Sequence, residues 1–312
     1  MKLPRLEAGD FWGGFAAMLV ALPSAIAFGV SIYSSLGAAH VAQGALAGIL
    51  GAAALGLIAP ALGGTQRLIT APCAPAASVL AAFALEFMVN GGDFAEAMLL
   101  LSLLGLAAGL LQIVFGTLRL GQLIEYMPYP VVSGYLTGVG LYIIAGQVPR
   151  FLGVPRETHF WESLVAPAAW DWQGMVVGAV TMIVMLGAPR LTRRVPAAIL
   201  GLAAGVGAYF ALGLADPGLL KLEGNALVVG TFGDGGGSIT EAMAGRWQAM
   251  GGIGIEQIRQ IALPALTLAV LLSIDTLKTC VVLDVLTRSR HNSNRELIGQ
   301  GLGNVASALV GG

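Results

Sequence analysis

An aspartate and a lysine stand three residues apart in the middle of an apolar run, IALPALTLAVLLSIDTLKTCVVLDVL, from Ile261 to Leu286. A charge inside a bilayer is costly, so it usually faces a pathway, a partner or both. Helical spacing puts Asp275, Lys278 and Thr279 on one face. In a functional reading Asp275 takes a cation or a proton, and Thr279 adds an oxygen ligand one turn on. Lys278 then neutralises the acid or attracts an anion. In a structural reading the pair is self-compensated and silent. Asp284, nearer the end of the run, reads as structural.

The segment RLITAPCAPAASVLAAFALEFM carries a second signal. Pro72 and Pro75 cannot sit inside a regular helix, and each pushes the residue before it, Ala71 or Ala74, toward extended backbone. Pro75 suits a helix's first turn, so a helix is expected from Ala76 to about Met88. That is roughly 20 Å, short of a ~30 Å hydrocarbon core. Leu68 to Ala74 then cross the remainder in extended form, which is tolerated only where protein or a water-filled cavity satisfies the backbone. The half-helix would aim the open N–H groups of Ala76 and Ala77 at mid-membrane, a ready anion site. The plainer reading is a proline-kinked helix.

The elements that would position these residues are membrane spans. Over half the residues (56%) are apolar and 11% are charged, against about 25% in soluble domains. Mean hydropathy is +0.82. This is the composition of an all-α polytopic membrane protein. Spans are expected near 11–32, 41–60, 68–89, 95–116, 129–149, 172–189, 195–213 and 260–286, with a weaker ninth at 295–312. The first is read as a retained helix, because Glu7 and Asp10 interrupt the basic start of a signal peptide. Ten basic residues, led by Arg190, Arg193 and Arg194, fall on one side of this topology and five on the other. That asymmetry places the N-terminus, residues 1–10, in the cytoplasm and the protein in the plasma (inner) membrane. The polar connection from Asp216 to Glu256 reads as an external loop with some strand. Small-xxx-small pairs such as Gly44/Gly48, Gly105/Gly109, Gly134/Gly138 and Gly201/Gly205 suit close helix packing.

Net charge of −1 without a basic stripe argues against a nucleic-acid partner. The two cysteines and three histidines show no disulfide framework and no metal-ligand spacing. A Walker loop, a GxSxG elbow and an HExxH are absent, so the chain does not read as an enzyme and no cofactor is expected. After the charged run comes TRSRHNSNRELIGQGLGN, which enters a helix at Asn292 or Ser293. Ser293 with Glu296 fits a capping box.

This string, RHNSNRELIGQGLGN after an acid-bearing span, closely resembles the SulP (sulfate permease) family of anion transporters. LVALPSAIAFGV resembles that family's opening helix, and RLGQLIEYMPYPVVSGYLTGVGLYIIAGQVPRFLGV its link into the fifth span. The resemblance implies seven plus seven spans in two inverted repeats, a core domain moving against a gate domain, and possible homodimers. The chain would hold the first repeat and the start of the second: core spans at 11–116 and 260–312, gate spans at 117–213, and a loop at 214–259 between them. Substrate would sit between the half-helices of spans three and ten, beside span eight. Asp275 matches the acidic position linked to Na+ or H+, and Thr279 a nearby hydroxyl ligand. Thr70, Cys73 and Ala74 match the substrate-facing turn.

Two departures qualify the match. Cys73 stands where the family often has a hydroxyl, and a thiol is a poor ligand for a hard cation. Lys278 adds a positive charge that suits a divalent anion such as sulfate. Gly311 and Gly312 fall where span ten should begin, as Gly63 and Gly64 precede span three, so the chain reads as a fragment without its second half or STAS domain. The expected function is secondary active transport of a small inorganic anion, sulfate or bicarbonate, by alternating access and coupled to H+ or Na+. The anion is held at Thr70, Cys73, Ala74, Ala76, Ala77 and Lys278, and the coupling ion at Asp275 and Thr279. The alternatives are a nucleobase transporter of similar fold, an uncoupled channel-like permease, or a non-transporting fragment.

Overall fold

The structure, a computed structural model, describes residues 8–37, 40–65, 67–126, 129–154, 160–192, 195–221, 225, 228 and 254–312. A helix stands at every stretch of apolar, spanning length. They are α1 (Ala8–Ser34), α2 (Val41–Leu62), α3 (Ala74–Val89), α4 (Phe94–Thr117), α5 (Tyr129–Phe151), α7 (Trp172–Leu191), α8 (Ala197–Ala215), α9 (Ile255–Thr287) and α10 (Ser293–Val310), with a short α6 (Phe160–Val165) between α5 and α7. Six of these are long and apolar enough to cross a membrane: α1, α2, α4, α7, α8 and α9. The third span is the short one, its helix only 16 residues long. No strand occurs among the described residues. Most of the loop run expected to hold strand lies outside them, as do Arg193 and Arg194 of the charge argument.

The helices gather into two compact units. One runs from the N-terminus to Val20 and from Ser133 to Gly230. In it α7 and α8 lie side by side, with Gly201 and Gly205 closing on Met185 and Thr181. Asp171 caps α7 by accepting from the Gln173 N–H at 3.0 Å. The Gln173 amide donates in turn to Asp216 at 3.0 Å, past the end of α8.

The other unit runs from Ala21 to Val132 and from Thr231 to Gly312. Its centre is a layer of Leu100, Leu104, Leu268 and Ala269 between α4 and α9. α10 packs closely on both α4 and α2. Glycine sets the spacing: a Cβ on Gly301 would stand 2.6 Å from the Gly109 carbonyl oxygen, and one on Gly109 2.8 Å from that of Gly301. Gly44 and Gly48 of α2 meet Gly29 and Ala25 of α1 in the same way. Gly134 and Gly138 meet nothing within 4 Å, so that spacing marks no close crossing among the described residues.

The expected Ser293–Glu296 capping box does not form. Asn292 caps α10 instead, its side chain accepting from the Arg295 N–H at 3.0 Å. Glu296 turns away from its own helix, toward donors on the α2–α3 connection. Those donors have no helical partner, so the carboxylate is worth more there than at a helix end that Asn292 already caps.

Valine at Gly301 should overpack the α4–α10 crossing and cost about 1–3 kcal/mol. Thermal unfolding in detergent should show a lower midpoint for Gly301→Val. Gly56→Val, at an exposed position with nothing within 4 Å, should leave it unchanged.

Candidate functional site

The third span is broken, as Pro72 and Pro75 require. Residues 68–73 are non-helical, and Cys73 is extended at φ −118°, ψ 150°. The helix begins at Ala74, two residues before the expected Ala76, because Pro75 is accommodated in its first turn. Ala77 donates to the Cys73 carbonyl at 3.0 Å, so its N–H closes that turn and is not open to a ligand. Ala76 donates to no backbone carbonyl among the described residues. The Cys73 sulfur lies beside it without forming a capping bond.

On α9, Lys278 Nζ stands 2.7 Å from Asp275 Oδ1. The lysine side chain is 5% exposed and the aspartate 25%. The acid therefore opens on a cavity while the base backs it from inside the helix packing. Thr279 donates its hydroxyl to the Asp275 carbonyl at 2.8 Å, which leaves its oxygen able to accept or to coordinate. The Cys73 thiol lies within interaction range of the Asp275 carboxylate.

Asp275, Thr276 and Thr279 line a cavity of about 270 Å³ within the second unit, together with Thr70, Cys73, Ala76 and Ala77. Lys278 and Ala74 do not line it. Lys278 is held against Asp275 and does not face the cavity, so the expected contact of its ammonium with an anion there is not formed. Ala74, at the helix start, lies outside the cavity wall. No group of three metal-binding His, Cys, Asp or Glu side chains occurs among the described residues.

The rest of the cavity lining was not assigned to the site from the sequence. It carries Gln112 from α4 and Gln300, Asn304 and Ser307 from α10. Asn304 donates to Gln112 at 2.6 Å. Gln112 is fully buried, and its side-chain nitrogen has no partner among the described residues. The available signal was a lone amide in an otherwise apolar stretch of α4, LSLLGLAAGLLQIVFGT.

The polar string after α9 fastens this site. Asp284 accepts from the His291 N–H at 3.0 Å, from Ser289 at 3.1 Å, and pairs with His291 Nδ1 at 2.7 Å. His291 Nε2 meets Ser293 Oγ at 3.0 Å, so Nδ1 carries the proton toward the acid and Nε2 accepts when the ring is neutral. Asp284 thus has the structural role expected of it, closing the α9–α10 turn. Arg295 donates to the Leu62 carbonyl at 3.1 Å, and the Asn292 N–H to that of Gly64 at 3.0 Å.

A broken helix whose start shares a cavity with an ion pair inside a membrane span is an arrangement suited to a membrane transporter. The chain belongs to the sulfate permease family, whose model matches residues 8–312. It is 32% identical over 97% of its length to the bicarbonate transporter BicA of Picosynechococcus sp.. It is 35% identical, again over 97%, to the BicA of Synechocystis sp.. A putative sulfate transporter of Bacillus subtilis, YvdB, is 24% identical over 67% of the chain. The solved transmembrane domain of a cyanobacterial BicA superimposes with a TM-score of 0.72 at 32% identity, over 98% of this chain and 72% of that one. The chain spans about half the length (50%) of the BicA relatives it matches. These relatives are named as transporters, not enzymes.

Lys278→Met should destabilise the protein by leaving Asp275 uncompensated. The loss should fall below the ~3–5 kcal/mol of a fully buried pair, since the carboxylate is partly exposed. Adding Asp275→Asn should restore most of the melting temperature. A double variant no more stable than Lys278→Met alone would show that the pair is not energetically coupled.

Proposed function

We propose that the full-length protein carries a small inorganic anion, bicarbonate or sulfate, across the plasma (inner) membrane by coupled secondary transport. The observation that carries this reading is the shared cavity. The Ala76 N–H of a half-helix, which meets no backbone carbonyl, and the Asp275–Lys278 pair open on or back one space. The pair is neutral as it stands. A proton taken by Asp275 removes the counter-charge of Lys278 and leaves net positive charge beside the anion site. Anion and proton then favour each other's binding, as symport requires. Thr279 accepts or coordinates next to the acid.

Sodium is the second reading. A carboxylate and a hydroxyl oxygen one turn apart in the cavity favour it. Against it, Lys278 already occupies Asp275, and the thiol of Cys73 is a soft neighbour for a hard ion. Bicarbonate is favoured over sulfate by the higher identity to proteins named for it. In this reading the spans at 11–116 and 260–312 belong to a core and those at 117–213 to a gate, and transport proceeds by alternating access. The N-terminus is cytoplasmic, and a homodimer is the expected assembly.

The test is uptake of labelled bicarbonate and sulfate by proteoliposomes holding the full-length protein, with pH and sodium varied independently. Uptake should rise with an inward proton gradient, and Asp275→Asn should cut it at least tenfold while the protein stays monodisperse. Uptake that ignores pH but follows sodium would support the second reading. Competition by uracil would point to a nucleobase carrier, and current without any cation gradient to a channel. Full activity in Asp275→Asn would remove the acid from the mechanism.

A further inference from the structure

We infer that Glu296, through Gln300, sets the direction of a hydrogen-bond chain that leaves the Thr70 hydroxyl proton free for the transported anion. This deepens the anion-transport reading and rests on it. Glu296 is 2% exposed and Gln300 4%, on successive turns of α10. Glu296 Oε2 accepts from the N–H groups of Gly64 at 2.7 Å and Thr65 at 3.0 Å. Its Oε1 faces Gln300 at 2.9 Å. The same Gln300 nitrogen lies 2.7 Å from Thr70 Oγ1.

Direction follows from donor chemistry. An ionised carboxylate only accepts. With two backbone N–H groups on Oε2, Gln300 must present its amide nitrogen, not its oxygen, to Oε1. The contact with Thr70 uses that nitrogen too, so Gln300 donates and the threonine oxygen accepts. A hydroxyl carries one proton, and Thr70 has no acceptor for it among the described residues. Thr70 lines the cavity three residues before Cys73, as Ala76 at the start of α3 does. The chain of bonds thus makes Thr70 a donor toward the cavity. A ligand group at that point must be an acceptor, such as the oxygen of an oxyanion. Glu296 and Gln300 touch no substrate; they are positioning residues that act through Thr70.

Glu296→Gln tests this with little change of shape. The oxygen of the new amide must stay with Gly64 and Thr65, which turns its NH2 to Gln300. Gln300 then flips and presents its own oxygen both to that NH2 and to Thr70, and the Thr70 proton is drawn into the second bond. In proteoliposomes of the full-length protein, Glu296→Gln should raise KM for bicarbonate roughly tenfold, with Vmax changed less than about twofold. Thr70→Val should raise KM equally, Thr70→Ser should restore it, and the Glu296→Gln/Thr70→Val double variant should be no worse than either alone. A purely structural role would lower Vmax or yield of folded protein and would add to the Thr70 effect.

An unchanged KM in folded Glu296→Gln, or additive effects in the double variant, overturns the inference while leaving transport intact. No anion uptake by the unaltered protein overturns the transport reading and the inference together. Should Glu296→Gln not give a monodisperse protein, Thr70→Val and Thr70→Ser decide: wild-type KM in the valine variant overturns the inference.

Discussion

Backbone that cannot be helical, placed inside a membrane span, must find its hydrogen bonds elsewhere in the protein. Pro72 and Pro75 impose that condition on residues 68–73, and much of the second unit answers it. The α2–α3 connection is held at one end by Glu296, Asn292 and Arg295, and at the other by Gln300 on Thr70. All four side chains or groups come from the first two turns of α10 or the residue that caps it. A polar string that reads as a surface loop is therefore a clamp, and its polarity is a consequence of the break in α3.

The clamp works only at short range, which accounts for where glycine is indispensable. A Cβ on Gly299 would stand 2.6 Å from the Gly63 Cα, and one on Gly63 would stand 2.7 Å from the Glu296 carboxylate. Larger residues there would push α10 off the connection and strand the Gly64 and Thr65 N–H groups. The Gly109–Gly301 crossing seats the other side of the same helix on α4. Close backbone packing and satisfied polar groups are thus one device. The first brings the second within hydrogen-bond reach.

The Asp275–Lys278 pair belongs to a different balance. A buried ion pair adds little net stability over an apolar pair of the same size, because desolvation offsets the attraction. Its asymmetry is the informative part: the acid meets the cavity and the base does not. The carboxylate is thus the member of the pair that a ligand in the cavity can reach, and the lysine is packed behind it.

Most of the fold was legible in the chain alone. Apolar runs of spanning length set the helices, since a bilayer leaves few other choices. The two prolines set the break in α3, because ring geometry and a missing N–H act locally. The spacing of Asp275, Lys278 and Thr279 put them on one face for the same reason. What depended on partners far along the chain was not legible. Glu296 looked like a cap for its own helix, yet it serves residues more than two hundred positions earlier. Lys278 looked like an anion ligand until packing turned it inward. Gln112 was a lone amide in an apolar run, and Gln300 and Asn304 belonged to a polar string that read as a loop entering a helix, until α4 and α10 brought all three to one cavity. Local covalent geometry and the membrane's intolerance of unpaired backbone determine elements from sequence. Only the tertiary structure decides which donor meets which acceptor, because that rests on close helix crossings between distant segments.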